Sequence, residues 1–143
     1  MLNKIITDAD KKAIQEAIRE AEELTSGEIR VHIDKSCSGE PLKRAIEVFN
    51  KLKMHATKER NGVLIYLSFN DRKLAILGDE GIDKKVAADF WDSTKEELIR
   101  DFKNQQFIPG IIKSINEVGT RLKEYFPHQE DDIDELSNEI TLD

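Results

Sequence analysis

The chain has 143 residues and a net charge of −7, with 36% of its residues charged and 38% hydrophobic. This acidic balance repels nucleic acid and anionic membrane surfaces and favours cations as partners. The length suits one domain with a two- or three-layer core. The longest apolar run, residues 62–69, is far shorter than the roughly 20 residues that span a bilayer. With no secretory signal pattern at the N-terminus, we expect a cytoplasmic protein without membrane insertion.

The first predicted helix runs from about Asp8 to Thr25. Its start resembles a capping box at residues 7–10, apolar residues then recur at helical spacing, and Gly27 ends it. Residues 28–34 alternate polar and apolar side chains, which predicts an edge strand with one buried face.

A second helix is predicted between Pro41 and Met54, where apolar residues return to helical spacing. The continuous apolar run from Val63 to Phe69 predicts a central strand that is covered on both faces. A tight polar turn and residues 72–78 follow, so the second and third strands form a hairpin.

Two further helices complete the predicted domain, which comprises residues 1–127. One carries apolar residues from Val86 to Phe102, including the packing residues Phe90 and Trp91, and the other runs from about Phe107 to before Pro127. Residues 128–143 are predicted as an acidic, largely mobile tail whose apolar residues can dock on the surface. This element order predicts helices on both faces of a mixed sheet.

Oxygen-bearing side chains are expected to meet at one edge of this sheet. The first two strands run parallel, so their starts near Glu28 and Asn61 lie at the same edge, and the hairpin returns Asp79 and Glu80 to it. Carboxylate and amide oxygens are the ligands of hard cations such as Ca²⁺ and Mg²⁺. Spacing alone nevertheless favours a solvated acidic turn that caps the next helix.

Other candidate groups give weaker signals. Asp71 lies at the opposite edge, where open α/β sheets usually bind ligands, and is a second-rank candidate. Cys37 is the single cysteine and is interpreted as a packed thiol, and the three histidines have no partners at metal-ligand spacing. With no nucleophile and base in evidence, metal-assisted phosphate-ester hydrolysis is the one enzyme class that the acidic edge makes plausible.

Several short motifs resemble the TPM domain family. They are TSGEIRV at residues 25–31, RNGVLI at 60–65, DRK at 71–73 and GDEGI at 78–82. The later segments FWD at 90–92 and FIPGI at 107–111 look like the short, stand-alone bacterial version of this domain. The resemblance covers nearly the whole chain, in the same order and spacing.

The resemblance implies a three-layer α/β/α sandwich with a small mixed β-sheet, and a crevice at the sheet edge where acidic residues bind a divalent cation, Ca²⁺ or Mg²⁺. It raises the metal-binding interpretation above the solvated turn. The family pattern falls on Asn61, on Asp71 and on a position near Asp89. The resulting ligand prediction has main, assisting and second-choice residues, in that order Asp79 and Glu80, then Glu28 and Asn61, then Asp71, Asp83 and Asp89.

Two alternatives remain open. A relative from the plant lumen implies acid phosphatase activity, and the acidic tail with its apolar residues suggests a protein–protein interaction module. The chain departs from the longer members, which are exported or membrane-anchored and usually have an aromatic residue where Asp79 stands. Lumenal or periplasmic roles are therefore not transferred to it, and catalytic residues are not assigned.

Overall fold

The computed structural model describes residues 6–129 and 140–142, and these form five helices and four strands. The expected α/β fold with helices on both faces of a mixed sheet is confirmed. The elements, in chain order, are α1 (Asp8–Glu22), β1 (Glu28–Asp34), α2 (Pro41–Lys51), β2 (Gly62–Ser68), β3 (Lys73–Gly78), α3 (Glu80–Asp83), α4 (Asp92–Lys103), α5 (Phe107–Tyr125) and β4 (Thr141–Leu142).

The sheet has the strand order β3-β2-β1-β4. β1 runs parallel to β2 and to β4, whereas β2 and β3 form the predicted antiparallel hairpin. The prediction that β1 is an edge strand is wrong, because Thr141 and Leu142 pair with His32 and Ile33. β3 is the long strand that forms an edge of the sheet.

Two hydrophobic cores lie on opposite faces of the sheet. The larger joins α1, α4 and α5 to one face through residues such as Ile14, Ile65 and Leu122. The smaller joins α2 to the other face through Ala45, Phe49 and neighbouring residues. Consecutive side chains of a strand point to opposite faces, so the continuously apolar β2 serves both cores.

The face of β1 on the α2 side is buried although it is polar. Glu28, His32 and Asp34 alternate along this face and are only 3%, 4% and 5% exposed. The sequence pattern predicts a single buried face, and this is wrong because charged and polar contacts allow these side chains to be buried.

Two helix boundaries differ from the prediction. α1 has the predicted capping box at Thr7 but ends at Glu22, three residues before the predicted end. Phe90 and Trp91 lie in turns before α4, which begins only at Asp92. Arg121 of α5 donates a hydrogen bond to the carbonyl of Phe90. This tertiary contact stabilises a turn at Phe90, although the spacing of the apolar residues predicts a helix there.

The last described residues return to the sheet. Ile140 and Leu142 pack against the larger core beside β1. The remainder of the predicted acidic tail, residues 130–139 and 143, lies outside the described residues. Within the described part of the chain, no helix combines the length and apolar character needed to cross a bilayer.

Candidate functional site

The predicted convergence at the amino-terminal edge of β1 and β2 is present in the fold. Glu28 pairs with Gly62, and its N–H donates to the carbonyl of Asn61 at 3.3 Å. The N–H of Asp79 donates to the carbonyl of Gly62 at 2.9 Å, which brings the end of β3 to the same row. Glu28, Asn61 and Asp79 are 3%, 1% and 7% exposed, so three polar residues at this edge are buried.

Two of these carboxylates flank a residue without a side chain. By the alternation along paired strands, Glu28 and Asp79 project from the same sheet face as Leu64 of β2, and Gly62 lies between them. The edge therefore has two buried acidic groups on one face with no intervening side chain.

Arg60 neutralises the main predicted ligands. Its Nε and Nη2 atoms lie 2.8 and 3.0 Å from the two carboxylate oxygens of Asp79, and Nη1 lies 3.1 Å from Oε1 of Glu80. The hydrogen bond that Arg60 donates to Asp79 raises the pKa of the guanidinium above its already high ordinary value. Asp79 also caps α3, because its Oδ1 accepts from the N–H of Glu80 at 2.8 Å.

The backbone fixes the position of Arg60. Its φ of 53° lies in the left-handed region, and its carbonyl accepts from the N–H of Gly81 at 2.9 Å. A Cβ atom on Gly81 would lie 2.1 Å from the carbonyl oxygen of Glu59 and 2.7 Å from that of Arg60. Glycine at this position is therefore needed for α3 to approach the turn that carries Arg60.

Asn61 contributes an acceptor that is not satisfied by the protein. Its Nδ2 atom lies 3.3 Å from Oγ of Ser26 and 3.2 Å from Oε2 of Glu59. The Glu59 carboxylate can only accept, so the amide orientation is fixed with Oδ1 pointing away from it. Oδ1 is buried and has no hydrogen-bond partner among the described residues. Leaving such an acceptor unpaired costs about 1–3 kcal/mol.

The second-choice acidic residues have different locations. Asp83 is exposed in α3, and its pKa is raised by desolvation and then by the negative charge of Asp79. Asp89 is exposed in the turn before α4, and no contact between described residues ties it to Asp79. Asp71 lies at the opposite end of the sheet, so it does not join the cluster.

Asp71 instead supports the loop after β1. Its Oδ2 accepts from the N–H of Cys37 at 2.9 Å, and its Oδ1 accepts a hydrogen bond from the Ser68 hydroxyl. These two hydrogen bonds, that of Ser68 first, lower the pKa of Asp71. The loop and α2 enclose a cavity of about 670 Å³, and the Cys37 thiol is buried beside it, as expected for a packed thiol.

A polar network that the sequence analysis did not identify centres on Asp34, at the carboxyl end of β1. Arg44 binds the two oxygens of Asp34 through Nε at 2.7 Å and Nη2 at 3.1 Å. Tyr66 donates to Oδ2 at 2.6 Å, and Nε2 of His32 lies 2.8 Å from Oδ1. The other ring nitrogen of His32 is 2.7 Å from the hydroxyl of Thr141, so the network extends to β4.

This network shifts two pKa values in opposite directions. Burial alone would raise the pKa of Asp34, but the hydrogen bonds from Arg44, Tyr66 and His32 together lower it to about 2. Burial, reinforced by the hydrogen bond to Asp34, raises the pKa of Tyr66. The sequence signal was the alternation of His32 and Asp34 on one strand face, but their partners come from other elements.

Comparison with known sequences identifies the family. The sequence profile of the TPM domain matches residues 2–121, which is most of the chain. The chain belongs to the TPM domain family. No curated protein sequence matches it.

Solved structures of similar fold agree with this assignment. The NMR structure of the BA42 protein from the psychrophilic bacterium Bizionia argentinensis is 46% identical, with a TM-score of 0.90, and the match covers 96% of this chain and 95% of that one. The N-terminal domain of the cg2496 protein from Corynebacterium glutamicum is 16% identical, with a TM-score of 0.63 over 80% of this chain and 72% of that one. The second likeness is one of fold.

The donor chemistry of the TPM domain edge can be tested against a divalent cation. Carboxylate and amide oxygens, including the unpaired Oδ1 of Asn61, are the ligand type that Ca²⁺ and Mg²⁺ prefer. Within residues 6–129 and 140–142, however, no three acidic, His or Cys side chains are grouped to hold a metal. The guanidinium of Arg60 binds Asp79 and Glu80 in this arrangement. The donors fit a hard cation in kind, provided that Arg60 is displaced.

Proposed function

We propose that this TPM domain binds a divalent cation, Ca²⁺ or Mg²⁺, at the amino-terminal edge of β1 and β2. Asp79 and Glu80 are the main carboxylate ligands, and Glu28 and Asn61 assist them. The observation that carries the proposal is the Oδ1 atom of Asn61, a buried acceptor with no hydrogen-bond partner among the described residues. It lies at the edge where the Glu28 and Asp79 carboxylates are also buried.

Cation binding requires exchange with Arg60. The guanidinium brings one positive charge to the two carboxylates of Asp79 and Glu80, whereas a divalent cation brings two. The side chain of Arg60 is 39% exposed, so it can turn into solvent without losing a buried position. A cation also offers Asn61 Oδ1 a partner, which the guanidinium does not provide in this arrangement.

The proposal narrows the second-choice ligands. Asp83 lies next to the cluster, and its pKa is raised by desolvation and then by the negative charge of Asp79, so it can support the site from outside. Asp71 lies at the opposite end of the sheet and serves as a control. We do not propose phosphate-ester hydrolysis, because no contact among the described residues at this edge shows a nucleophile activated by a base. Cytoplasmic location stays a prediction.

Calorimetric titration of the metal-free protein with Ca²⁺ and with Mg²⁺ tests the proposal. We expect saturable binding that Asp79→Asn and Asn61→Ala weaken, since each removes an oxygen ligand or its charge. Arg60→Gln is expected to strengthen binding about tenfold, because it removes the competing cation. Asp71→Asn makes the same charge change at the opposite edge and should leave binding unchanged. Equal losses for Asp71→Asn and Asp79→Asn, or no saturable binding, would contradict the proposed site.

A further inference from the structure

The nitrogen of the Asn61 side-chain amide is held by two polar side chains. Oε2 of Glu59 lies 3.2 Å from Nδ2 of Asn61 and 2.9 Å from Oγ of Ser26. The Ser26 oxygen lies 3.3 Å from the same Nδ2 atom. The Glu59 carboxylate can only accept, so the Ser26 hydroxyl donates to it. Both side chains therefore present an oxygen acceptor to the amide nitrogen.

The backbone fixes the positions of Ser26 and Asn61. The N–H of Ser26 donates to the carbonyl of Phe126 at the end of α5, at 2.9 Å. The N–H of Asn61 donates to the hydroxyl of the buried Thr57 at 3.2 Å, and the N–H of Arg60 donates to the Thr57 carbonyl at 3.3 Å. With the backbone held on both sides, the main freedom left to Asn61 is a half-turn of its amide group.

Glu59 opposes this half-turn. The turn exchanges Oδ1 and Nδ2, which are similar in size, so packing alone does not decide between the two orientations. In the turned orientation Oδ1 would face the Glu59 carboxylate, which has no proton to donate, and the Ser26 hydroxyl, whose proton Glu59 already accepts. The present orientation keeps both contacts of Nδ2 and leaves Oδ1 buried without a hydrogen-bond partner among the described residues.

We propose that Glu59 is a positioning residue of the cation site, which keeps Oδ1 of Asn61 directed at the cation without being a ligand itself. This role rests on the cation binding proposed above. Glu59 binds the nitrogen of the amide, so the amide group separates it from Oδ1. Groups that orient metal ligands in this way typically change the metal affinity roughly 10- to 100-fold when they are replaced.

Glu59→Gln changes the orientation of the amide without changing the size of the neighbour. A glutamine can donate as well as accept, so it offers the turned Oδ1 a partner that the carboxylate cannot offer. The metal-free variant then favours the turned amide, and a cation must turn it back. We expect calorimetry to show Ca²⁺ binding about tenfold weaker than in the wild type. Glu40→Gln, an exposed position before α2 at the opposite end of the sheet, should leave the affinity unchanged.

Asn61→Asp separates orientation from charge. A carboxylate has two equivalent oxygens, so a half-turn no longer removes the ligand oxygen from the cation. In the Asn61→Asp background, Glu59→Gln should therefore no longer weaken Ca²⁺ binding. An equal loss in both backgrounds would show that Glu59 acts through its charge or as a ligand, and would overturn the positioning role.

NMR of the metal-free chain observes the amide directly and does not depend on how the Asn61→Asp variant folds. In the wild type we expect cross-peaks between the Nδ2 protons of Asn61 and the β protons of Ser26, and their loss in Glu59→Gln. A wild-type amide orientation in Glu59→Gln, or an unchanged Ca²⁺ affinity of this variant, would overturn the positioning role alone. No saturable Ca²⁺ binding by the wild type would instead overturn the cation site itself.

Discussion

The two ends of the sheet each bury an aspartate that an arginine binds through both carboxylate oxygens, yet the two aspartates are satisfied to different degrees. Asp34 at the carboxyl end receives Arg44 and two further hydrogen-bonding side chains. Asp79 at the amino-terminal end receives Arg60 and otherwise caps α3. One carboxylate is thus bound by three buried or half-buried side chains, and the other is held by a single side chain that is partly in solvent.

This difference separates a structural group from an exchangeable one. Every strong acceptor position of Asp34 is used, so replacing any partner leaves a buried group unsatisfied. The partner of Asp79 is 39% exposed and directly precedes Asn61, whose Oδ1 has no hydrogen-bond partner among the described residues. We therefore expect the carboxyl end of the sheet to determine stability and the amino-terminal end to determine ligand binding.

Truncation of Asp34 should have the largest effect. Asp34→Ala leaves Arg44 and Tyr66 without their common acceptor inside the protein, and we expect a loss of about 4 kcal/mol in the free energy of unfolding. Urea denaturation measures it. Glu47→Ala removes another ion-pair partner of Arg44, which is 69% exposed, and should cost close to nothing. A loss below about 1 kcal/mol for Asp34→Ala would show that the network does not stabilise the fold.

Gly81→Ala should disturb the amino-terminal edge next most strongly. The new Cβ would meet backbone oxygens at 2.1 and 2.7 Å, which cannot turn aside, so we expect a loss of about 3 kcal/mol. Gly39→Ala is the matched control, because nothing lies within 4 Å of its Cβ position. Thermal and urea unfolding measure the stability of the two variants. If both were as stable as the wild type, the close approach of α3 to the turn at Arg60 would be contradicted.

Acid should remove the contribution of Asp34. The folded-state pKa of about 2 lies below the ordinary value of 3.8, so the stabilisation is present above about pH 4 and is lost as the pH falls through 2. The shift corresponds to about 2 kcal/mol. Comparing urea denaturation at pH 5 and pH 2.5 in the wild type and in Asp34→Asn isolates this part, because the variant lacks the titrating group. An equal acid loss in both proteins would assign the effect to other carboxylates.

Changes at Asp79 should have the smallest effect on stability. Asp79→Ala removes the cap of α3 and is expected to cost about 1 kcal/mol. Asp79→Asn retains a capping oxygen and loses mainly the ion pair with the partly exposed Arg60, so its cost should stay near ~0.5 kcal/mol. If Asp79→Asn destabilised the protein as much as Asp34→Asn, the contrast between the two ends would be wrong.

The geometry of the amino-terminal edge was accessible from the sequence because it follows from strand order. A helix between β1 and β2 makes them parallel, and the four-residue turn at 69–72 makes β3 return, so the backbones of Glu28, Asn61 and Asp79 lie at one edge. The sequence does not predict Arg60 as part of the site, because a guanidinium is itself a cation and cannot be a metal ligand. Arg60 precedes Asn61 in the RNGVLI motif, but its ion pair with Asp79 forms only when α3 packs on the turn that carries Arg60.

The Asp34 network and β4 could not be obtained in this way. The alternation in residues 28–34 correctly predicts a strand. The same alternation predicts that the polar face is exposed to solvent, because the residues that bind its side chains are not visible in the local sequence. Those partners are Arg44 and Tyr66 on other elements and Thr141, which is 109 residues from His32. Pairing over such a distance is set by tertiary packing and leaves no local pattern. The same contact makes β1 an inner strand.

The most direct test of the exchange between Arg60 and a cation is NMR observation of the edge during a Ca²⁺ titration of the metal-free chain. The side-chain amide of Asn61 and the backbone amides of residues 78–83 are the reporters. We predict saturable shifts at these positions, with the Nε–H signal of Arg60 changing at the same Ca²⁺ concentrations as its bond to Asp79 is released. Shifts confined to the Asp71 end of the sheet, or an unchanged Arg60 signal at saturation, would contradict the account.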